Sequence, residues 1–154
     1  MEKSQIKKII ISFVVIILVA GLGSLFVQLG MDWFNTLQKP TQWVPNFVIP
    51  IVWSVVYVTF AVINFIWFKN DDIPTSTIVL MLINAVLNVL WCLTFFTLKL
   101  LLVGNIVILI NLIAGFALIV DIIKENKLFG YILSIYPIWL SIATTLNLAL
   151  WILN

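Results

Sequence analysis

Five stretches of this chain are apolar for about 20 residues or more, the length a helix needs to cross the hydrocarbon of a bilayer. They run over about Ile9–Gln28, Phe47–Phe68, Thr77–Leu98, Leu100–Ile123 and Leu128–Leu153, and the charges fall almost entirely between them. Backbone groups in lipid must be paired internally, so such runs are predicted to be helices rather than open strands. Composition agrees: 64% of the residues are hydrophobic and 9% charged, where a soluble domain carries about 25% charged residues. The expectation is an all-α membrane protein, one five-transmembrane-helix bundle spanning residues 1–154 as a single domain. Lys7 and Lys8 ahead of the first run, and Ala20-Gly21-Leu22 within it, resemble a weak signal peptide. The run is longer than a signal core, and we read it as a retained helix.

Charge sets orientation and excludes several functions. Lys3, Lys7, Lys8, Lys69, Lys124 and Lys127 fall on one side of the predicted membrane; Lys39 and Lys99 fall on the other. By the positive-inside rule the N-terminus is expected in the cytoplasm. A net charge of +2 without a basic stripe does not fit nucleic-acid binding. With no histidine and the single cysteine Cys92 in an apolar run, no metal site is expected, and Cys92 reads as an apolar filler. No Asp, Glu, Lys or Arg lies mid-span, which argues against a side-chain proton relay. Asp71, Asp72, Asp121 and Glu125, beside Lys69, Lys124 and Lys127, read as solvated charges at helix ends.

The connection between the first two spans, about residues 29–46, is too long to be only a linker. Its stretch GMDWFNTLQKPTQWVPN sets Trp33, Phe34 and Trp43 among Pro40 and Pro45. The aromatics could simply anchor at the headgroup level. Anchors do not need prolines to fix their backbone, however, so the segment also reads as a structured lid over a cavity. Pro45 and Pro50 suit the first turn of the second span, where a missing N–H costs nothing. Pro137 frees the carbonyl of Leu133 and is expected to bend the fifth span.

Helical spacing lines up three stripes: Trp53, Tyr57, Phe60 and Asn64; Asn84, Asn88, Trp91 and Phe95; Tyr136, Trp139, Ala143 and Asn147. Amides are costly in hydrocarbon, so the stripes are expected to face inward. Helix–helix hydrogen bonding explains any one of them. Three together, with small Ala143 and Gly23 between wide aromatics, point to a pocket for a flat, mostly apolar ligand.

These residues resemble the tryptophan-rich sensory protein / translocator protein family, also called the peripheral benzodiazepine receptor family. WFNTLQKPTQWVP (33–45), VWSVVY (52–57), NVLWCLTFF (88–96) and WLSIATTLN (139–147) are similar, in order, to four of its motifs. The likeness runs from Gly23 to the C-terminus. Departures are Asn46 where the family has a second proline after the loop tryptophan, and Ile135 before Tyr136 with a proline at 137 instead. The last span also lacks the tyrosine and basic residue of the cholesterol motif of animal members.

The resemblance implies a membrane protein that binds a tetrapyrrole such as protoporphyrin IX, and isoquinoline or benzodiazepine-type ligands, beneath the first loop. It also implies a homodimer. Carried over by motif and stripe, the ligand-binding residues are Gly23, Trp33, Pro40, Trp43, Trp53, Tyr57, Asn84, Asn88, Trp91, Trp139, Ala143 and Asn147. The porphyrin is a ligand here, with no cofactor required, and metal-free porphyrin suits stacking on indoles in a histidine-free chain. Three functions remain open: a sensor or receptor, a transporter, and a light-dependent porphyrin-degrading protein. In the last, Trp53 and Trp139 are the expected photochemical residues.

Overall fold

The computed structural model describes residues 2–41, 44–70 and 73–154; Trp43, Asp71 and Asp72 lie outside them. The described residues form helices α1 (Lys3–Thr36), α2 (Val48–Asn70), α3 (Thr75–Cys92), α4 (Leu101–Glu125), α5 (Lys127–Leu133) and α6 (Ile135–Leu153). A π-helical turn, Leu93–Thr97, prolongs α3. Among the described residues, five helices are long and apolar enough to span a membrane, α5 and α6 together forming the fifth. Their outer faces are as apolar as the core, with Ile17, Ile113 and Ile152 each about two-thirds exposed. Lipid takes the place of water around such a surface.

The spans close into a ring. α1 packs on α2 and α3, α3 on α4, α4 on α6, and α2 returns to α5 and α6. Lys3, Lys7 and Lys8 open α1, and Gln5 Nε2 donates to the carbonyl of Lys69 at the end of α2 (3.2 Å). Lys124 and Lys127 sit at the junction of α4 and α5. This lysine end of the ring stands opposite the end carrying the α1–α2 loop.

α1 does not stop at Gln28. It continues through Thr36, so Trp33 and Phe34 lie on a helix rather than in the loop. Gln28 and Asp32 break the hydropathy pattern, yet neither breaks a helix; the first residue that does is Pro40, with its restriction on Lys39. Gly30 makes the extension possible. A Cβ there would overlap the Phe96 carbonyl, so only glycine lets α1 lie against the π-turn. Thr97 Oγ1 adds a hydrogen bond to the Phe26 carbonyl (2.8 Å). The loop proper is therefore short, and the side chain of Asn154 fastens it: the Gln38 N–H donates to its Oδ1 (2.9 Å), and its Nδ2 donates to the Gln38 carbonyl (3.0 Å).

The fifth span breaks at Ser134, three residues before Pro137. The Ser134 N–H is shared between the Gly130 and Tyr131 carbonyls, and its hydroxyl donates to Gly130 as well. Proline has no N–H to offer Leu133, so the helix pitch tightens one turn earlier.

Candidate functional site

All three stripes face the interior. Asn64, Asn84, Asn88, Trp91, Phe95, Tyr136, Trp139, Ala143 and Asn147 are buried, while Trp53, Tyr57 and Phe60 are half-buried. The aromatic members interlock toward the loop end. Trp53 stacks on Tyr57 (5.8 Å between centroids) and meets Trp91 (6.0 Å) and Tyr136 (6.4 Å). Trp33 stands edge-on to Phe95 (6.4 Å). Gly23 is buried on α1, facing Cys92 Sγ and the Tyr57 hydroxyl. Pro40 is half-buried in the loop. Trp139 has no ring partner among the described residues, so Trp91 and Tyr136, not Trp139, stand against Trp53.

A polar network crosses this interior. The Tyr136 hydroxyl lies 3.1 Å from Asn111 Oδ1 and 3.3 Å from Asn84 Oδ1, and Asn84 Nδ2 donates to the Leu80 and Ala114 carbonyls. Asn105 Nδ2 donates to the Asn147 carbonyl (3.2 Å). Asn105 and Asn111 were not among the sequence candidates because the fourth span carries no aromatic motif; their signal was an amide inside an apolar run. Asn111 falls on the inward stripe Gly104, Ile108, Asn111, Gly115, Leu118.

Among the described residues, five buried polar atoms have no hydrogen-bond partner: Asn64 Oδ1, Trp91 Nε1, Asn111 Nδ2, Trp139 Nε1 and Asn147 Nδ2. A buried donor or acceptor left unpaired costs about 1–3 kcal/mol, and interiors rarely leave so many without a use. Four of the five are N–H donors, three of them on sequence-predicted site residues. Such a set matches a ligand rich in acceptor oxygens.

A cavity of about 280 Å³ runs between α1, α2 and α3 from Lys8 to Asn88. It takes in Tyr57, Asn84 and Asn88 and leaves the other described candidates outside its lining. Among the described residues, aromatic rings converge toward the loop end and a cavity opens toward the lysine end. The cause is side-chain size. Trp53, Trp91, Phe95 and Tyr136 pack on one another where they converge, whereas Ser12, Val15, Val19 and Ala85 cannot meet across the same gap.

The architecture defines a multi-pass integral membrane protein with a tryptophan-lined, amide-bearing interior. The chain belongs to the TspO/MBR family, whose sequence profile matches residues 11–152. It is similar to the tryptophan-rich protein TspO of Archaeoglobus fulgidus, 28% identical over 152 residues that cover 97% of this chain and 99% of the relative. It is also similar to protein CrtK of Rhodobacter capsulatus, 27% identical over 126 residues covering 79% of this chain and 78% of that protein.

Proposed function

We propose that the protein binds a flat, mostly apolar ligand of the tetrapyrrole class, protoporphyrin IX being the test molecule, on the aromatic stripes beneath the α1–α2 loop. One observation carries this reading: Trp91 Nε1, Trp139 Nε1 and Asn147 Nδ2 are buried donors without acceptors among the described residues, on the stripes that also present the indoles. Carboxylate side chains on a planar ring would meet the donors while the ring stacks on tryptophan. Trp53, Trp91, Phe95 and Tyr136 stand against one another here, so a ligand entering between them would lift the loop and part the rings. Isoquinoline or benzodiazepine-type ligands would compete for the same faces. In this reading the lysine end faces the cytoplasm and the protein works as a homodimer.

Light-dependent loss of bound porphyrin is the finer form of the proposal. The excited ligand would take one electron from an indole held against it, leaving a porphyrin radical anion and an indole radical cation, and dissolved dioxygen would be the terminal oxidant that consumes the ring; proximity confines the reaction to bound molecules. Trp53 and Trp139 are the assigned donors. The test is titration of the protein in nanodiscs with protoporphyrin IX, dark and illuminated. Saturable quenching of tryptophan fluorescence is expected, with porphyrin loss under light severalfold lower in Trp53→Phe and Trp139→Phe at saturating ligand; Trp139→Phe should also bind more weakly, having lost its Nε1 donor. Absence of saturable quenching would overturn the binding reading. Parent-rate degradation in both variants would remove these indoles from the photochemistry.

A further inference from the structure

The cavity at the lysine end has features that the aromatic stripes do not explain. Lys8, Ser12, Val15, Ile16 and Val19 line it from α1, a stripe rising about 16 Å along the helix at 1.5 Å per residue. Across from them stand Phe60, Asn64 and Phe68 of α2 and Ile78, Met81 and Ala85 of α3. Ile11 and Leu82 line the cavity and are each about half exposed, so it opens sideways toward lipid through the seam between α1 and α3. The same seam is shut farther along, where Gly30 lies on the Phe96 backbone.

Three of its polar groups, Lys8, Ser12 and Asn64, sit at one end in a fixed order, while Tyr57, Asn84, Asn88 and Tyr136 line it farther in. Lys8 is at the mouth. One helical turn deeper, Ser12 Oγ accepts from Asn64 Nδ2 (2.9 Å), which pins the amide and leaves Asn64 Oδ1 buried with no donor among the described residues. Asn64 is only 6% exposed. Beyond that point the lining of α1 is wholly aliphatic. The space is elongated, with a cationic rim, one unmet acceptor a turn inside it and a mainly apolar barrel that ends among Tyr57, Asn84 and Asn88. Ligand pockets of drug size hold about 300–1,000 Å³, so this one suits a slender molecule rather than a disc.

We propose that this cavity is a second binding site, for a single-chain amphiphile with an acidic headgroup and a hydroxyl beside it, taken laterally from the lipid leaflet at the lysine end. The headgroup lies at Lys8, the hydroxyl donates to Asn64 Oδ1, and the chain follows Val15 to Val19. The two sites share Tyr57, Asn84 and Asn88, but this proposal does not rest on the porphyrin reading and its test uses no porphyrin.

Native mass spectrometry of the full chain from detergent would follow titration with 1-oleoyl lysophosphatidate and with its 2-deoxy analogue. Saturable binding of one molecule per chain is expected, with the deoxy analogue about tenfold weaker, since only it leaves Asn64 Oδ1 unmet. Monooleoylglycerol, which has hydroxyls and no acid, should bind more weakly, with the gap closing as salt rises. Asn64→Leu should erase the difference between the hydroxyl and deoxy probes, which a merely structural role for Asn64 would not do. Ala85→Phe, filling the barrel, should abolish binding of both. Equal affinity of the unmodified protein for the two lysophosphatidates would overturn the proposal with no variant involved. Non-saturable uptake, or full binding by Ala85→Phe, would overturn it equally.

Discussion

The two ends of this bundle are built from different side chains, and they close by different means. At the loop end, α1 and the π-turn touch backbone to backbone through Gly30, Thr97 holds the Phe26 carbonyl, and four aromatic rings converge inside. At the lysine end the ties on α1 run to α2, through Ser12–Asn64 and Gln5–Lys69, and the seam toward α3 stays open. Small residues between helix backbones shut a seam, whereas small residues facing an interior leave space. The same chemistry has opposite results according to which way it points.

Breaking the closed end should have the largest effect. Gly30→Leu forces a side chain onto the Phe96 backbone, which cannot move aside as a rotamer can. Overpacking costs about 1–3 kcal/mol even against side chains, so at least the upper end of that range is expected. The thermal midpoint in detergent should fall by roughly ten degrees or more, at about 2–4 °C per kcal/mol for a chain of this size and with the π-turn displaced. Gly21→Leu is the comparison, because a Cβ at Gly21 meets nothing within 4 Å. Equal stability of the two variants would show that the loop end is not held by close backbone approach.

A smaller effect is expected from the polar network between the two ends. Tyr136→Phe removes the one hydroxyl standing between Asn84 and Asn111 while leaving the ring against Trp53 and Phe60. Interhelical hydrogen bonds in bilayers average about 0.6 kcal/mol, but here Asn111 would lose the partner of its Oδ1 with its Nδ2 already unpaired. About 1 kcal/mol, or a few degrees in the midpoint, is the expected loss. No change would mean that the amides re-pair among themselves or with water.

This contrast also shows what the sequence could reveal. The number of spans was legible because hydropathy and helix length in lipid leave few alternatives. The inward stripes were legible because amides in hydrocarbon have one place to go. The end of α1 was not: Gln28 and Asp32 look like a boundary in hydropathy, while the helix ends only ahead of Pro40, and Gly30 shows its purpose only beside Phe96. The bend was placed at Pro137 by rule, yet it falls at Ser134, where a shared N–H tightens the turn. The cavity was least legible. Volume is a difference between side chains on separate helices, and no pattern within one helix records it, so Asn64 read as one more bridging amide.

The smallest change should be the most informative about access. Asn154 reads the Gln38 backbone with both arms of its amide and so holds the loop to the region just after α6. Both bonds are exposed, and exposed hydrogen bonds add at most about 0.5–1.5 kcal/mol net. Asn154→Ala should therefore leave the thermal midpoint within a degree or two of the parent. Its effect belongs to kinetics. If ligand reaches the aromatic stripes by lifting this loop, loosening the clasp should raise the association rate of protoporphyrin IX severalfold in stopped-flow quenching. The dissociation rate should rise in step, because a loosened door does not change what the rings bind, and the equilibrium constant should barely move. Lysophosphatidate entering through the α1–α3 seam should be indifferent to the same substitution. A variant that speeds both ligands alike would erase the distinction between the ends, and one that speeds neither would place the porphyrin route somewhere other than the loop.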